Sequence, residues 1–267
     1  MSERDLTLSR AVAFRGGGFV AARRPWSGWI VLVVVLGLWQ GAASAGWVDT
    51  LFMPAPIDVG RALWRLIASG QMGAHVAASM KRLLAGLALG ASLGVVVGVA
   101  AGLATPARMI AAPIVAALFP IPKIALLPLF ILWFGIGEPS KVATIAFGAF
   151  FPMVIATMGG VDAVDRGLIR MAQSFGAPTR DIVRKVVLPA AAPAILSGLR
   201  IATSIGIVLI VAAEMIGAKE GLGAFVLAAG NLMAVDELMA GVVVIAAIGV
   251  TFAALIGSAE RRLLRWR

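Results

Sequence analysis

The chain has 267 residues, of which 61% are hydrophobic and only 13% are charged, and its formal net charge is +10. Because about a quarter of the residues of a soluble protein are charged, this composition excludes an ordinary soluble domain and indicates an integral membrane protein built from α-helices. The absence of cysteine and the presence of a single histidine exclude disulfides, thiol chemistry and a Cys/His zinc site.

Six apolar stretches predict six transmembrane helices, since each crossing needs about 20 mostly apolar residues. The stretches are 28–46, 80–104, 125–136, 142–160, 201–217 and 239–259. This division leaves residues 1–27 and 260–267 as terminal tails. It makes residues 28–259 one transmembrane domain.

The third stretch is too short to cross a membrane alone. It becomes long enough if it continues back through "MIAAPIVAALFPIPK", whose prolines predict a broken helix. Irregular backbone at membrane depth is tolerated where it is buried in protein or faces a water-filled cavity, so this segment is a candidate wall of a translocation pathway. A re-entrant or interfacial segment at the cytoplasmic face is the alternative.

The distribution of lysine and arginine predicts the orientation, because positive residues near the ends of spans stay in the cytoplasm. With the N-terminus inside, seventeen of the 23 basic residues lie inside, and the other six lie outside: Arg61, Arg65, Lys81, Arg82, Lys141 and Lys219. Both termini are therefore predicted to be cytoplasmic. Membrane orientation explains the positive charge, so no nucleic-acid partner is needed.

Two periodic patterns predict helix packing. Apolar residues at helical spacing predict an amphipathic helix along the outer surface, with its apolar face formed by Val59, Leu63, Leu66 and Ile67. In the second span, glycine recurs every four residues, at Gly86, Gly90, Gly94, Gly98 and Gly102. This glycine stripe predicts a seam at which the backbone of another helix approaches closely.

No motif predicts an enzyme. The sequence has no Walker A pattern, no H-E-x-x-H and no nucleophile elbow, and His75 has no second histidine with which to form a catalytic pair. We therefore predict no catalytic residue and no metal site. His75 is interpreted as a surface or interfacial residue.

A polar stretch interrupts the apolar chain at residues 165–189, "DRGLIRMAQSFGAPTRDIVRKVVLP". Its apolar residues recur at helical spacing on both sides of Gly176, which predicts two short amphipathic helices joined by a tight turn at that glycine and ended at Leu188 and Pro189. The two apolar faces need a surface on which to pack. The stretch is therefore predicted to dock a partner at the cytoplasmic face, and an amphipathic loop resting on lipid headgroups is the alternative.

Part of this stretch, "MAQSFGAPTRDIVRKVVLPAAAPAILSGLR", resembles the cytoplasmic EAA loop of binding-protein-dependent ABC importer permeases. "LPLFILWFGIGEPSKVATIAFGAFFPMV", "VAAEMIGAKEGLGAFV" and the closing "ERRLLRWR" are similar to permeases of the nitrate, taurine and alkanesulfonate group. The resemblance implies a type I ABC importer permease fold and a loop, about 161–189, that inserts into a cleft on an ATPase subunit. On this sequence the coupling contact would comprise Phe175, Gly176, Ala177, Pro178, Thr179, Arg180 and Asp181.

This chain departs from the family pattern at one point of the loop. Where the pattern has E-A-A, the sequence has Arg170, Met171 and Ala172. The glycine and the Leu188-Pro189 pair remain, so the resemblance still implies docking. A salt bridge from the missing glutamate is in doubt, and an opposite charge on the partner is one solution.

Four polar residues are candidates for the translocation pathway. Glu214 is the ionisable group best placed within a span, where it would line an outer gate or pair with a basic neighbour such as Lys81 or Lys141. Thr203 and Ser204 would hydrogen-bond a passing anion, or bond to their own helix. Lys123, beside the proline break, would attract an anion in a narrow passage, or lie at the cytoplasmic interface with its ammonium in water.

The resemblance therefore implies a permease subunit of an ATP-driven importer in a bacterial inner membrane. The resemblance implies a second copy of the permease, two ATPase subunits that bind ATP and magnesium, an extracytoplasmic solute-binding protein and lipid, with no cofactor on this chain. The expected solute is an alkanesulfonate, taurine or nitrate. Another small organic solute, or a secondary transporter driven by an ion gradient, is the alternative.

Overall fold

The structure is a computed structural model that describes residues 27–264. Its helices are α1 (Ser27–Ser44), α2 (Pro56–Ala68), α3 (Gln71–Leu103), α4 (Thr105–Leu118), α5 (Leu127–Phe134), α6 (Glu138–Asp162), α7 (Arg166–Ser174), α8 (Thr179–Ile182), α9 (Leu188–Met215), α10 (Leu222–Asn231) and α11 (Val235–Leu263). A 3-10 turn precedes α5, and a π-helical turn joins α8 to α9. The predicted all-α fold is confirmed for residues 27–264, whereas the N-terminal tail, apart from its last residue, lies outside them.

Four helices are long and apolar enough to cross a membrane: α3, α6, the continuous helix Thr179–Met215, and α11. A fifth crossing is possible if α4 and the segment Lys123–Phe134 act together, although they meet at 92°. The predicted break in the third stretch is thus present at its prolines. α1 is apolar but shorter than these helices, so the count of six spans stays a prediction.

The glycine stripe of α3 packs against α6 along its whole length. A methyl group added at Gly90 would lie 2.2 Å from the carbonyl oxygen of Ala146, and one at Gly98 would lie 2.6 Å from Cβ of Thr157. Gly86, Gly94 and Gly102 meet α6 side chains just as closely. The predicted seam is confirmed, and the structure identifies α6 as the helix that occupies it.

Replacing Gly90 by alanine is expected to destabilise the protein by about 1–3 kcal/mol, because α3 and α6 must separate to admit the methyl group. Gly73→Ala is the matched control, since a methyl group there would touch no other part of the chain. In that variant alanine should be neutral or stabilising, because it favours the helix over glycine. Thermal unfolding of the purified variants measures both effects, and equal stability of the two would contradict the seam.

The interior of the bundle lies between α3, α6 and α9. Its buried side chains include Leu83, Ile145, Met153 and Ile210. At one end of the bundle, α2 adds a second apolar cluster, in which Val59 and Leu66 pack against residues of α10 and α11 such as Leu222, Phe225 and Ala240. The predicted amphipathic helix is present. Its apolar face packs against other helices of the protein. Ile67, which the pattern placed on that face, is exposed.

The second helix of the polar stretch does not end at Leu188 and Pro189, so that prediction was wrong. The chain continues without interruption from Thr179 to Met215. A proline inside an α-helix clashes with the carbonyl four residues before it. Here the residues before Pro189 form a π-helical turn, Val183–Val187, in which the N–H of Leu188 bonds to the carbonyl of Val183. The wider turn accommodates the proline.

The last helix, α11, extends to Leu263, four residues past the predicted end of the transmembrane domain, so that boundary stays a prediction. The two ends of the bundle can be named from α6, which runs between them. The α7 end holds Asp162, the last residue of α6, and the α7 helix that follows it. The Arg82 end holds Glu138, the first residue of α6, together with Arg82 of α3.

Candidate functional site

The polar stretch at the α7 end forms the predicted helix, glycine turn and helix. Asp165 begins α7 as its N-cap, since its carboxylate accepts a hydrogen bond from the N–H of Gly167. α7 ends at a turn in which the N–H of Gly176 bonds to the carbonyl of Gln173 and the N–H of Ala177 to that of Ala172. Gly176 has φ of +72°, a conformation that residues with a side chain rarely adopt. The turn therefore depends on glycine.

The two helices of this stretch bury different amounts of apolar surface. Ile182 and Val187, in α8 and the π-helical turn, are buried against Val161 and Ala191 of the bundle. Leu168 and Met171 of α7 remain exposed, and Phe175 at the turn is 83% exposed. Apolar side chains that project outward in this way form a surface without a partner in the described chain.

The seven predicted coupling residues lie together on this surface. Only Ala177 and Asp181 are partly buried, and the other five are exposed: Phe175, Gly176, Pro178, Thr179 and Arg180. Asp181 accepts a hydrogen bond from Lys185 one helical turn later, at 2.8 Å. A cavity of about 340 Å³ lies between α7, α8 and the ends of α3 and α6, and Ile169 and Ala172 of α7 pack against the buried cluster beside it.

At the Arg82 end, a buried arginine joins three parts of the chain. The guanidinium of Arg82 donates two hydrogen bonds of 2.6 Å to the carboxylate of Glu138. It also donates to a carboxylate oxygen of Glu214 at 2.7 Å and to the backbone carbonyl of Glu220 at 2.6 Å. Paired charges with several short hydrogen bonds hold geometry well. α3, α6, α9 and the loop before α10 are thus tied together.

Glu214 is fully buried and its carboxylate is surrounded by donors. The hydroxyl of Ser79 donates to it at 2.8 Å, and the backbone N–H of Gly223 donates at 2.9 Å. Ser79 in turn accepts the N–H of Leu222 at 2.8 Å. A buried charge needs this compensation. Glu214 is thus a structural tie, as one of the two sequence-based interpretations held, but its partner is Arg82 instead of Lys81 or Lys141.

The sequence carried a signal for Arg82 that the prediction missed. Arg82 precedes Gly86 by one helical turn, so it lies on the same face of α3 as the glycine stripe, whereas Lys81 lies beside that face and is exposed. On α9, Gly206, Ile210 and Glu214 follow one another at the same spacing on the buried face. If the buried faces of α3 and α9 are both followed to the Arg82 end, Arg82 and Glu214 are the charged residues that lie on them, so this pair was predictable.

The loop before α10 closes over this cluster and depends on glycine. Gly221 has φ of +136°, and a methyl group there would lie 2.3 Å from the carboxyl carbon of Glu214. Its N–H donates to Nδ1 of His75 at 3.1 Å. His75 is half-buried, with its ring tilted against Phe225. The predicted interfacial position of His75 therefore includes a specific contact with the loop.

Lys123 lies at the proline break, near the middle of the bundle. Its ammonium bonds to the carbonyl of Phe119 and lies 4.6 Å from the ring centre of Phe119 and 5.5 Å from that of Phe151. Phe151 is about 20 Å along α6 from Glu138 and about 17 Å from Asp162. The ammonium of Lys123 therefore lies beside the middle of α6, and its predicted role in the pathway stays a prediction.

The hydroxyls of Thr203 and Ser204 both bond to their own helix. Thr203 donates to the carbonyl of Leu199 at 2.8 Å, and Ser204 donates to that of Arg200 at 3.1 Å. Thr203 is buried inside the protomer, whereas Ser204 is exposed on its surface. Between residues 27 and 264, no group of three or more His, Asp or Glu side chains is arranged to hold a metal ion.

Comparisons with known proteins agree with this architecture. Residues 90–266 match the family described as "Binding-protein-dependent transport system inner membrane component". The chain is 37% identical to the putative aliphatic sulfonates transport permease protein SsuC of Escherichia coli, over 89% of this chain and 90% of the relative. It is 39% identical to the taurine transport system permease protein TauC of Escherichia coli, over 88% and 87%.

A solved structure of the inward-facing MetNI methionine ABC transporter has a chain similar to this one, with a TM-score of 0.53 and 24% identity. The match covers 80% of this chain and 97% of that chain. At this identity it shows the fold alone, which is that of a type I importer permease. The family match over residues 90–266 and the two relatives show the family: the chain belongs to the binding-protein-dependent transport system inner membrane components, the permease subunits of ABC importers.

Proposed function

We propose that this permease subunit translocates a small anionic solute, an alkanesulfonate, taurine or nitrate. Membership of the family already establishes the general role of the chain. The chain is an inner membrane component of an ABC importer, it works with a solute-binding protein and an ATPase, and ATP hydrolysis belongs to that separate subunit. Aliphatic sulfonates and taurine share a sulfonate group, so the relatives named for them support a solute with an anionic headgroup.

The observation that carries the anionic class is the position of Lys123. An ionisable side chain at membrane depth is costly to bury, so the few that occur there usually serve a function. Lys123 lies at mid-depth, at the break between α4 and α5. No carboxylate of residues 27–264 lies within salt-bridge distance of its ammonium. A cation in this position lowers the energy of an anion that passes the break. Ser204, exposed on the surface of α9, is a second candidate for the pathway.

Coupling to the ATPase is assigned to the exposed turn between α7 and α8. Phe175 is the apolar anchor that inserts into a cleft of the ATPase subunit, and Gly176, Ala177, Pro178 and Thr179 shape the turn behind it. Arg180 and Asp181 lie at its edge. The ATPase binds ATP and magnesium, and this chain binds no cofactor. Because Arg170 is exposed where the family pattern has glutamate, the matching position of the ATPase should be acidic.

The proposed assembly has two copies of the permease, two ATPase subunits and one solute-binding protein in a lipid bilayer. Exposed apolar residues on α5, among them Leu132 and Trp133, offer surface for the second copy or for lipid. Basic residues cluster at the α7 end, where Arg166, Arg170 and Arg180 are exposed. By the distribution of positive charge, that end and both termini face the cytoplasm.

The test is ATP hydrolysis by the complex of this chain with its ATPase in nanodiscs, with and without the solute-binding protein. The panel comprises ethanesulfonate, taurine, nitrate, methionine and maltose. We expect stimulation that requires both the binding protein and one of the anionic or sulfonate-bearing solutes. Stimulation by methionine or maltose alone would overturn the proposed solute class.

Replacing Lys123 by methionine is expected to lower uptake of the identified anion at least tenfold in proteoliposomes, because the cation at mid-depth is lost while the length of the side chain is kept. Lys81→Met is the matched control, since Lys81 is exposed at the Arg82 end. Its uptake should equal that of the wild type. Equal uptake by the Lys123 variant would remove this residue from the pathway.

A further inference from the structure

A cavity of about 440 Å³ opens beside the buried cluster at the Arg82 end. It lies between α3, the start of α6 and the loop that follows α9. Its volume is within the range of sites for small molecules. The charged residues of its wall are Arg82, Glu138, Lys141, Lys219 and Glu220. Glu138, in the wall of the cavity, is about 20 Å along α6 from Phe151, which contacts Lys123. This cavity is therefore separate from the proline break.

Lys141 supplies a buried positive charge to this cavity. The residue is only 3% exposed, yet its ammonium makes one hydrogen bond, to the carbonyl of Gly137 at 3.0 Å. No carboxylate of residues 27–264 comes within salt-bridge distance of it. An ammonium has three donors, so two remain to be satisfied. A buried charge in this condition calls for a further acceptor.

Glu138 differs from the other members of the cluster because it is exchangeable. The side chain of Glu138 is 63% exposed, whereas those of Arg82 and Glu214 are 6% and 0% exposed. Water can solvate the carboxylate of Glu138 but not that of Glu214, so an anion that takes over the donors of Arg82 would displace Glu138 rather than Glu214. When Glu138 leaves, two donors of Arg82 become free on the side that faces the cavity.

The balance of charge then changes by one. The wall holds three cations, Arg82, Lys141 and Lys219, and two carboxylates, Glu138 and Glu220, while the buried Glu214 pairs with Arg82 from outside the wall. When an anion displaces Glu138 toward water, the positive charge that Glu138 balanced is left for the anion. A monovalent anion with several acceptor oxygens fits both this charge and the free donors of Arg82 and Lys141.

We propose that this cavity is a binding site for a monovalent oxyanion headgroup, a sulfonate or a carboxylate, with Lys141 and Arg82 as its cations and Glu138 as an internal competitor. The identification of the headgroup as that of the transported solute rests on the proposed function. At the extracytoplasmic end, the site holds the anion before it enters the pathway. The carboxylate of Glu138 closes the site when the anion has left.

Equilibrium binding of radiolabelled ethanesulfonate tests the site, using the complex of permease and ATPase in nanodiscs without nucleotide or binding protein. Lys141→Met should raise Kd about tenfold or more, because charge-assisted hydrogen bonds are lost. Lys141→Arg should keep most of the affinity. Glu138→Gln should lower Kd severalfold, since the competitor for Arg82 is weakened. Arg61→Met, which removes an exposed cation of α2 that is not part of the cavity wall, should leave Kd unchanged.

The Glu138→Gln variant distinguishes an anion site from a purely structural cluster. If the cluster were only structural, loss of the ion pair would weaken ethanesulfonate binding or leave it unchanged, whereas the proposed site predicts tighter binding. Absence of ethanesulfonate binding, binding that is independent of Lys141, or weaker binding by Glu138→Gln would each overturn the site. If one of these three results is found but sulfonates still stimulate ATP hydrolysis, the proposed anion site is wrong and the proposed solute class stands. Should no anion stimulate hydrolysis while binding depends on Lys141 as expected, the site stands and the proposed solute class fails.

Discussion

Replacing Arg82 by methionine is expected to destabilise the protein by about 3–5 kcal/mol, because it leaves the carboxylate of Glu214 buried without a cation. Glu214 is fully buried, so its charge cannot be solvated by water. Glu138 is mostly exposed and loses little when the arginine is removed. Thermal or denaturant unfolding of the purified protein, followed by tryptophan fluorescence, measures the loss.

The double variant Arg82→Met/Glu214→Gln provides the decisive comparison. It removes both buried charges, and the amide can still accept a hydrogen bond from Ser79, so most of the lost stability should return. Arg200→Met is the matched control, because Arg200 forms a pair with Glu260 at 2.9 Å in which both side chains are partly exposed. Breaking that pair should cost no more than about 1 kcal/mol. Additive losses in the double variant would contradict the tie.

Replacing Gly176 by proline is expected to abolish transport while the chain still inserts into the membrane. Proline fixes φ near −65°, whereas Gly176 has +72°, and proline also lacks the N–H that bonds to Gln173. The turn that carries Phe175 must therefore rearrange. Solute-stimulated ATP hydrolysis and co-purification with the ATPase measure the effect, and both should be lost.

Gly70→Pro tests whether position matters more than backbone strain. Gly70 has φ of +76°, its N–H bonds to the carbonyl of Ile67, and it lies in an equally open turn, but at the Arg82 end. The two variants disturb the backbone to a similar degree. Only Gly176→Pro should lose the ATPase. If Gly176→Pro transports normally, the coupling role of the turn is wrong.

The packing of the long helices could be predicted because it follows from local periodicity. The glycine stripe, from Gly86 to Gly102, marked the buried face of α3 before its partner was known. The prolines at 120 and 122 likewise marked the break between α4 and α5, whereas Pro113 lies inside α4. The continuation of the helix through Pro189 could not be predicted, because an α-helical pattern excludes a proline there and a π-helical turn leaves no signal in the periodicity of a short segment.

The turn at Gly176 could be predicted from the sequence, whereas the cluster at Arg82 as a whole could not. The turn at Gly176 is local, so its amphipathic helices and its glycine were readable from 25 consecutive residues, 165–189. The cluster at Arg82 joins residues that are 56 and 132 positions apart. Its members were visible only as isolated charges at the ends of spans. Tertiary packing decided which of Lys81, Arg82 and Lys141 would meet Glu214.

The continuous helix from Thr179 to Met215 has a mechanical consequence. Its 37 residues span about 56 Å, so one rod links the exposed turn at the α7 end to Glu214 at the other. A tilt of about 10° around its middle would move each end by about 5 Å in opposite directions. The π-helical turn lies close to one end, which leaves a long arm toward Glu214. If the ATPase moves the turn at the α7 end, this one helix would displace Glu214 at the other end without a relay of side-chain contacts.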